Sequence, residues 1–100
     1  MAVVEVSITP LGTAGTGVSA FVAGCLKVLE KTGLRHQLTP MGTVIEGDIG
    51  EILEVVRQMH EEPFLAGAGR VSTLIKIDDR RDKERHTMEG KVRSVEEKLA

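Results

Sequence analysis

A chain of 100 residues with 13 basic and 15 acidic side chains, 41% hydrophobic residues, two phenylalanines as its only aromatics and one cysteine has the composition of one domain with one core. A net charge of −2 gives no pull on a phosphate backbone, only Phe21 and Phe64 could stack on bases, and no apolar run approaches the ~20 residues that span a bilayer. Nucleic acid and membrane are therefore not the expected partners, and the lone Cys25 excludes an intramolecular disulfide and a thiolate zinc cluster, which points to a reducing, cytoplasmic compartment.

The start, Met-Ala-Val-Val-Glu, has neither a basic opening nor a cleavage motif, so no secretion is expected. Val4, Val6 and Ile8 alternate with Glu5 and Ser7, which predicts a half-buried strand, β1, over 2–9. A breaker-rich loop from Pro10 to Gly17 follows, and then Val18, Phe21, Val22, Cys25, Leu26 and Leu29 recur at helical spacing up to Gly33. That stripe predicts α1 over 18–32. His36–Thr39 and Thr43–Glu46 read as two short strands, β2 and β3, around a Pro40-Met41-Gly42 turn. Asp48 and Glu51 have the spacing of a capping box, and Ile49, Ile52, Leu53, Val56 and Met59 continue as an apolar stripe. Helix α2 is thus predicted from 49 to about 61, stopping before Pro63. Val71, Thr73, Ile75 and Ile77 alternate as β4. Met88, Val92, Val95 and Leu99 form a thin seam on a charged terminal helix, α3, placed at 82–99.

The order β-α-β-β-α-β with a terminal helix is an α+β, ferredoxin-like split βαβ arrangement with a four-stranded antiparallel sheet in spatial order 4-1-3-2. Both central helices then lie on one face and leave the other bare. A domain of this size buries only about 60% of the surface its unfolded chain exposes, so association with copies of itself is expected.

The segments Thr9-Pro10-Leu11-Gly12-Thr13 and Thr39-Pro40-Met41-Gly42-Thr43 form a near-repeat. In the predicted topology both lie at the sheet edge that also carries Ser19 and Arg70. Hydroxyls, glycines, a helix start and a guanidinium would there make a small polar-ligand pocket. Proline-glycine pairs also make turns unaided, so the repeat reads either as a pocket or as two similar turns. Gly12 to Gly17 lies between strand and helix, where an anion is favoured, but it matches neither GxGxxG nor the lysine-bearing phosphate loop. Glu46, within β3, must either face solvent or meet a specific donor. His36, His60 and His86 fall on different elements with no ligand spacing, Cys25 lies on the core stripe of α1, and no catalytic triad or carboxylate pair can be assembled. No cofactor or metal is expected. The run Asp78 to Arg85 sums to zero charge and reads as a solvated linker.

Three separated blocks carry a resemblance over nearly the whole chain: Val-Glu-Val-Ser-Ile-Thr-Pro-Leu-Gly-Thr, Thr-Pro-Met-Gly-Thr-Val-Ile-Glu-Gly and Gly-Arg-Val-Ser-Thr-Leu-Ile-Lys-Ile-Asp-Asp-Arg. They resemble the small relatives of the YkoF-type thiamine and hydroxymethylpyrimidine-binding proteins. The resemblance implies a ferredoxin-like fold, dimers assembled into tetramers, no known catalysis, and binding of thiamine or its pyrimidine portion in some members. It also points to Ser7, Thr9, Gly12, Thr13, Thr43, Glu46 and Arg70. The leading expectation is a non-catalytic binding protein in which Glu46 pairs with a ligand amino group. The competing one is an oligomeric regulatory protein with an anionic effector at a subunit interface near Arg70 or the α1 start.

Overall fold

The computed structural model describes residues 1–13, 17–82 and 87–100 of the chain. The alternating apolar residues at the N-terminus form β1, Ala2–Leu11, at the interior of one antiparallel sheet. It pairs with β3 (Gly42–Gly47) on one side and β4 (Arg70–Asp79) on the other, and β2 (Arg35–Thr39) lies outside β3, giving the order β2-β3-β1-β4. The register sets Val4 against Ile45 and Ile77, and Val6 against Thr43 and Ile75. These even-numbered residues of β1 therefore share one face of the sheet. Against that face pack α1 (Ser19–Glu30) and α2 (Ile49–Leu65), and Val4, Val6, Leu29, Ile45, Ile52, Val56 and Met59 close into the core. Each such side chain contributes about 1.5–3 kcal/mol by burial.

Local chemistry sets the ends of the helices. The Glu51 N–H donates to the Asp48 carboxylate at 3.1 Å, which starts α2, and Gly33, with φ of 73°, turns the chain after α1. The prediction that α2 stops before Pro63 is corrected: the helix runs through it to Leu65, and Pro63 is buried. A proline inside a helix leaves the carbonyl four residues earlier without its donor. Here that carbonyl belongs to Met59, and it accepts the Cys25 S–H from α1 at 3.3 Å. The neighbouring helix thus supplies the donor that the proline lacks.

Among the described residues the opposite face is bare except at one end. The terminal helix α3 occupies Met88–Leu99, with residues 83–86 outside the described part, and Thr87 caps it by accepting from the Gly90 N–H at 3.0 Å. Met88 is buried beside the sheet, while Val92, Val95 and Leu99 remain 57, 59 and 80% exposed.

Pairing along β1 is unequal on its two sides. With β3 it ends at Val6 opposite Thr43, but with β4 it continues to Leu11 opposite Arg70. Beyond Val6, β1 is a one-sided edge, a position that tolerates the missing N–H of Pro10. The opening left between this edge, α1 and the β2–β3 hairpin is where the candidate site lies.

Candidate functional site

A groove of about 800 Å³ fills that opening, within the range of small-molecule sites. Its floor is apolar: Val6 and Ile8 from β1, Val22, Cys25 and Leu26 from α1, and Met59 from α2. The hairpin forms the opposite wall. Its two-residue turn is held by Thr39, whose hydroxyl donates to the Gly42 carbonyl at 2.9 Å and accepts from the Met41 and Gly42 N–H groups. Gly42 has a steric reason to be glycine, since a Cβ there would stand 2.8 Å from the Val6 carbonyl oxygen. That close approach seats the hairpin against β1 and sets the width of the groove.

Of the residues singled out in the sequence, Ser7, Thr9, Ser19 and Thr43 line this one groove. Strand alternation places Thr43 on the helix-facing side with Val6, and Ser7 and Thr9 on the other side of β1. Gly12, Thr13 and Arg70 stand at the same end of the sheet without lining the groove, and Arg70 lies on β4, across β1 from it. The centre of the glycine-rich connection, residues 14–16, lies outside the described part, so the anion-loop reading has no described geometry.

Glu46 stands apart from all of these. It pairs with Val3 near the other end of β1, is only 5% exposed, and has two partners. The Met88 N–H at the start of α3 donates to its Oε2 at 2.8 Å, and the Arg35 guanidinium approaches its Oε1 at 3.2 Å. Arg35 also bridges to Glu89 in the first turn of α3. The Glu89 carboxyl is held below its ordinary range by its own backbone N–H first and by Arg35 second. A carboxylate against a helix N-terminus is favourable electrostatically, so the arrangement anchors α3 on the sheet.

The polar groups of the groove differ in how well they are satisfied. Cys25 is committed to Met59, and burial pushes its thiol up from the ordinary value, with the Glu62 charge adding to the rise. Thr43 is 5% exposed, and among the described residues its hydroxyl has no hydrogen-bond partner. A buried polar group left this way costs about 1–3 kcal/mol, which a bound molecule would recover. At the rim, α1 begins at Val18 with no side-chain cap, and its first helical bond runs from the Val22 N–H to the Val18 carbonyl. The first-turn N–H groups consequently have no acceptor within the helix.

Sequence reasoning found the hydroxyls and missed the floor, because apolar residues at helical or strand spacing look the same whether they meet a neighbour or a ligand. Arg35 gave no signal at all; its meaning depends on Glu89, 54 residues later. His36 and His60 stand in separate hydrogen bonds, to the Leu34 carbonyl and the Thr73 hydroxyl, and His86 lies outside the described residues.

Comparison with known proteins bears on this geometry. The family model described as Thiamine-binding protein matches residues 4–96. The UPF0045 protein YqgV of Bacillus subtilis is 46% identical, over 99% of this chain and 98% of its own. A UPF0045 protein of Methanothermobacter thermautotrophicus is 42% identical over 99 and 100%. The crystal structure of MJ1052 from Methanocaldococcus jannaschii superposes with a TM-score of 0.85 at 42% identity, covering 96% of each chain.

Proposed function

The chain belongs to the thiamine-binding protein family, and on that premise we propose that it is a non-catalytic binding protein for thiamine or a related pyrimidine metabolite, held in the groove between β1, α1 and the β2–β3 hairpin. The observation that carries this reading is the buried Thr43 hydroxyl, without a hydrogen-bond partner among the described residues, facing an apolar floor in a cavity of ligand size. Binding rather than catalysis is supported by the titratable groups that line the groove. Among the described residues Cys25 is the one such side chain there, and it is hydrogen-bonded, with burial pushing its thiol toward the neutral form. A nucleophile needs the opposite environment.

Self-association belongs to the same proposal. The seam of α3 and the exposed Leu74, Ile75 and Ile77 of the edge strand β4 are apolar surfaces that a second copy would cover, and pairs of such dimers make a tetramer. We place the assembly in the cytoplasm, where a single free thiol is stable; no helix among the described residues is long and apolar enough to cross a membrane.

The test is calorimetric titration with thiamine and with 4-amino-5-hydroxymethyl-2-methylpyrimidine, repeated on Ala23→Trp. Ala23 is exposed on α1 at the groove, so the indole fills the cavity without entering the core. Binding by the parent and its loss in this variant, with the melting temperature kept, is the expected result. Failure of both compounds to bind, or binding untouched by Ala23→Trp, would overturn the assignment.

A further inference from the structure

Resting on the groove as the ligand site, we infer that it is built for an uncharged heterocycle, which it orients through the Thr43 hydroxyl, and that it discriminates against cationic ligands. In thiamine's own terms, the neutral pyrimidine portion should be preferred over the whole vitamin, whose thiazolium ring carries a permanent positive charge.

Three independent observations lead to this. The first is compositional: among the described residues the groove is lined by 6–9, 17–19, 22, 23, 25, 26, 38–43 and 59, and no Asp, Glu, Lys, Arg or His occurs in that set. A cation entering would exchange its hydration shell for apolar walls with no counter-charge, and burying an unpaired charge is strongly unfavourable. The carboxylate of the same strand, Glu46, is occupied by the Met88 N–H and Arg35 on the far side of the sheet.

The second is the opening of α1. Its first turn, at Val18 and Ser19, borders the cavity without a side-chain cap among the described residues, and its N–H donors lie at the positive end of the helix dipole. Such an end favours an acceptor and disfavours a cation. The third is Thr43 itself. Buried on the floor side without a partner among the described residues, its hydroxyl can donate to a ring nitrogen or accept from an exocyclic amine, whereas the hairpin's other threonine, Thr39, is fully used in the turn. One dual donor-acceptor point and a set of donors, separated by apolar walls, match a flat ring with nitrogen acceptors and an amino group. They offer nothing to a positive ring.

Titration calorimetry near neutral pH decides the matter, using thiamine and 4-amino-5-hydroxymethyl-2-methylpyrimidine on the parent, Thr43→Val and Thr43→Ser. The pyrimidine should bind at least ~10-fold more tightly than thiamine. Thr43→Val should weaken the pyrimidine by roughly 5- to 10-fold, the scale of one lost hydrogen bond, while Thr43→Ser keeps most of the affinity. Without ligand, Thr43→Val should melt no lower than the parent, because the buried hydroxyl it removes had no partner among the described residues. Thiamine binding as tightly as the pyrimidine, or Thr43→Val binding undiminished, overturns the inference. If thiamine is favoured yet Ala23→Trp still abolishes binding, only the preference is wrong and the groove assignment stands. Binding indifferent to Ala23→Trp, or no binding of either compound, removes both.

Discussion

Cys25 shows how one side chain serves two elements. Its S–H satisfies the Met59 carbonyl that Pro63 leaves open, and its sulfur forms part of the groove floor. Cys25→Ala should therefore lower stability by about 1–2 kcal/mol, from a small void together with an unpaired carbonyl, while Cys25→Ser keeps a donor and loses less. The raised thiol pKa has a definite sign. Below the unfolded value, near pH 8.5, the thiol is neutral in both states and its contribution is fully present. Above it the unfolded chain ionises first, so stability should fall as the pH rises further. Urea unfolding between pH 7 and 10 checks both points: the alkaline decline should flatten in Cys25→Ser. A decline of equal slope in both proteins would place its origin elsewhere.

At the scale of elements, the sheet carries different work on its two faces. On the helix-covered side the hairpin and α1 shape the groove; on the other, Glu46 and Arg35 hold the first turn of α3. Glu46→Ala should leave the Met88 N–H and the Arg35 guanidinium without their buried partner, at a cost of about 1–3 kcal/mol. Amide exchange should accelerate at Met88 while the residues around Thr43 keep their protection. Acid should act in the same direction. Because Glu89 has a lowered pKa, its contribution is present above the ordinary glutamate value near 4.3 and is lost as the pH falls through the lower folded value. Exchange at Met88 that is unchanged in Glu46→Ala would show that α3 is held by other contacts.

For the whole molecule, the apolar surface left outside the core calls for cover. Val92, Val95 and Leu99 on α3 and Leu74 on β4, the last 72% exposed, are large side chains on a chain that has few to spare for its core. Light scattering at micromolar concentration should give a mass above that of one chain, and the double change Val92→Glu and Val95→Glu should lower it. These substitutions lie away from the groove, so binding of the pyrimidine should persist unless a second copy completes the site. A monomeric parent would end the assembly proposal.

The sequence alone determined what depends on neighbours along the chain. Alternation in β1, the stripes of α1 and α2, the Asp48 cap and the Pro-Met-Gly turn are local physics, and with short connections they leave the split βαβ sheet as the arrangement that buries every stripe. The placement of Thr43, Thr9 and Ser19 around one opening followed from that topology. The tertiary structure decided everything that depends on a distant partner. A proline inside α2 is tolerated because a thiol 34 residues earlier meets the freed carbonyl, and no local rule contains that contact. Glu46 and Thr43 are three positions apart on one strand, so they face opposite sides of the sheet: one meets the start of a helix 42 residues away, and the hydroxyl of the other has no hydrogen-bond partner among the described residues. Their sequence context is nearly the same, and only the packing of the two faces separates an anchoring carboxylate from a hydroxyl left open to a ligand.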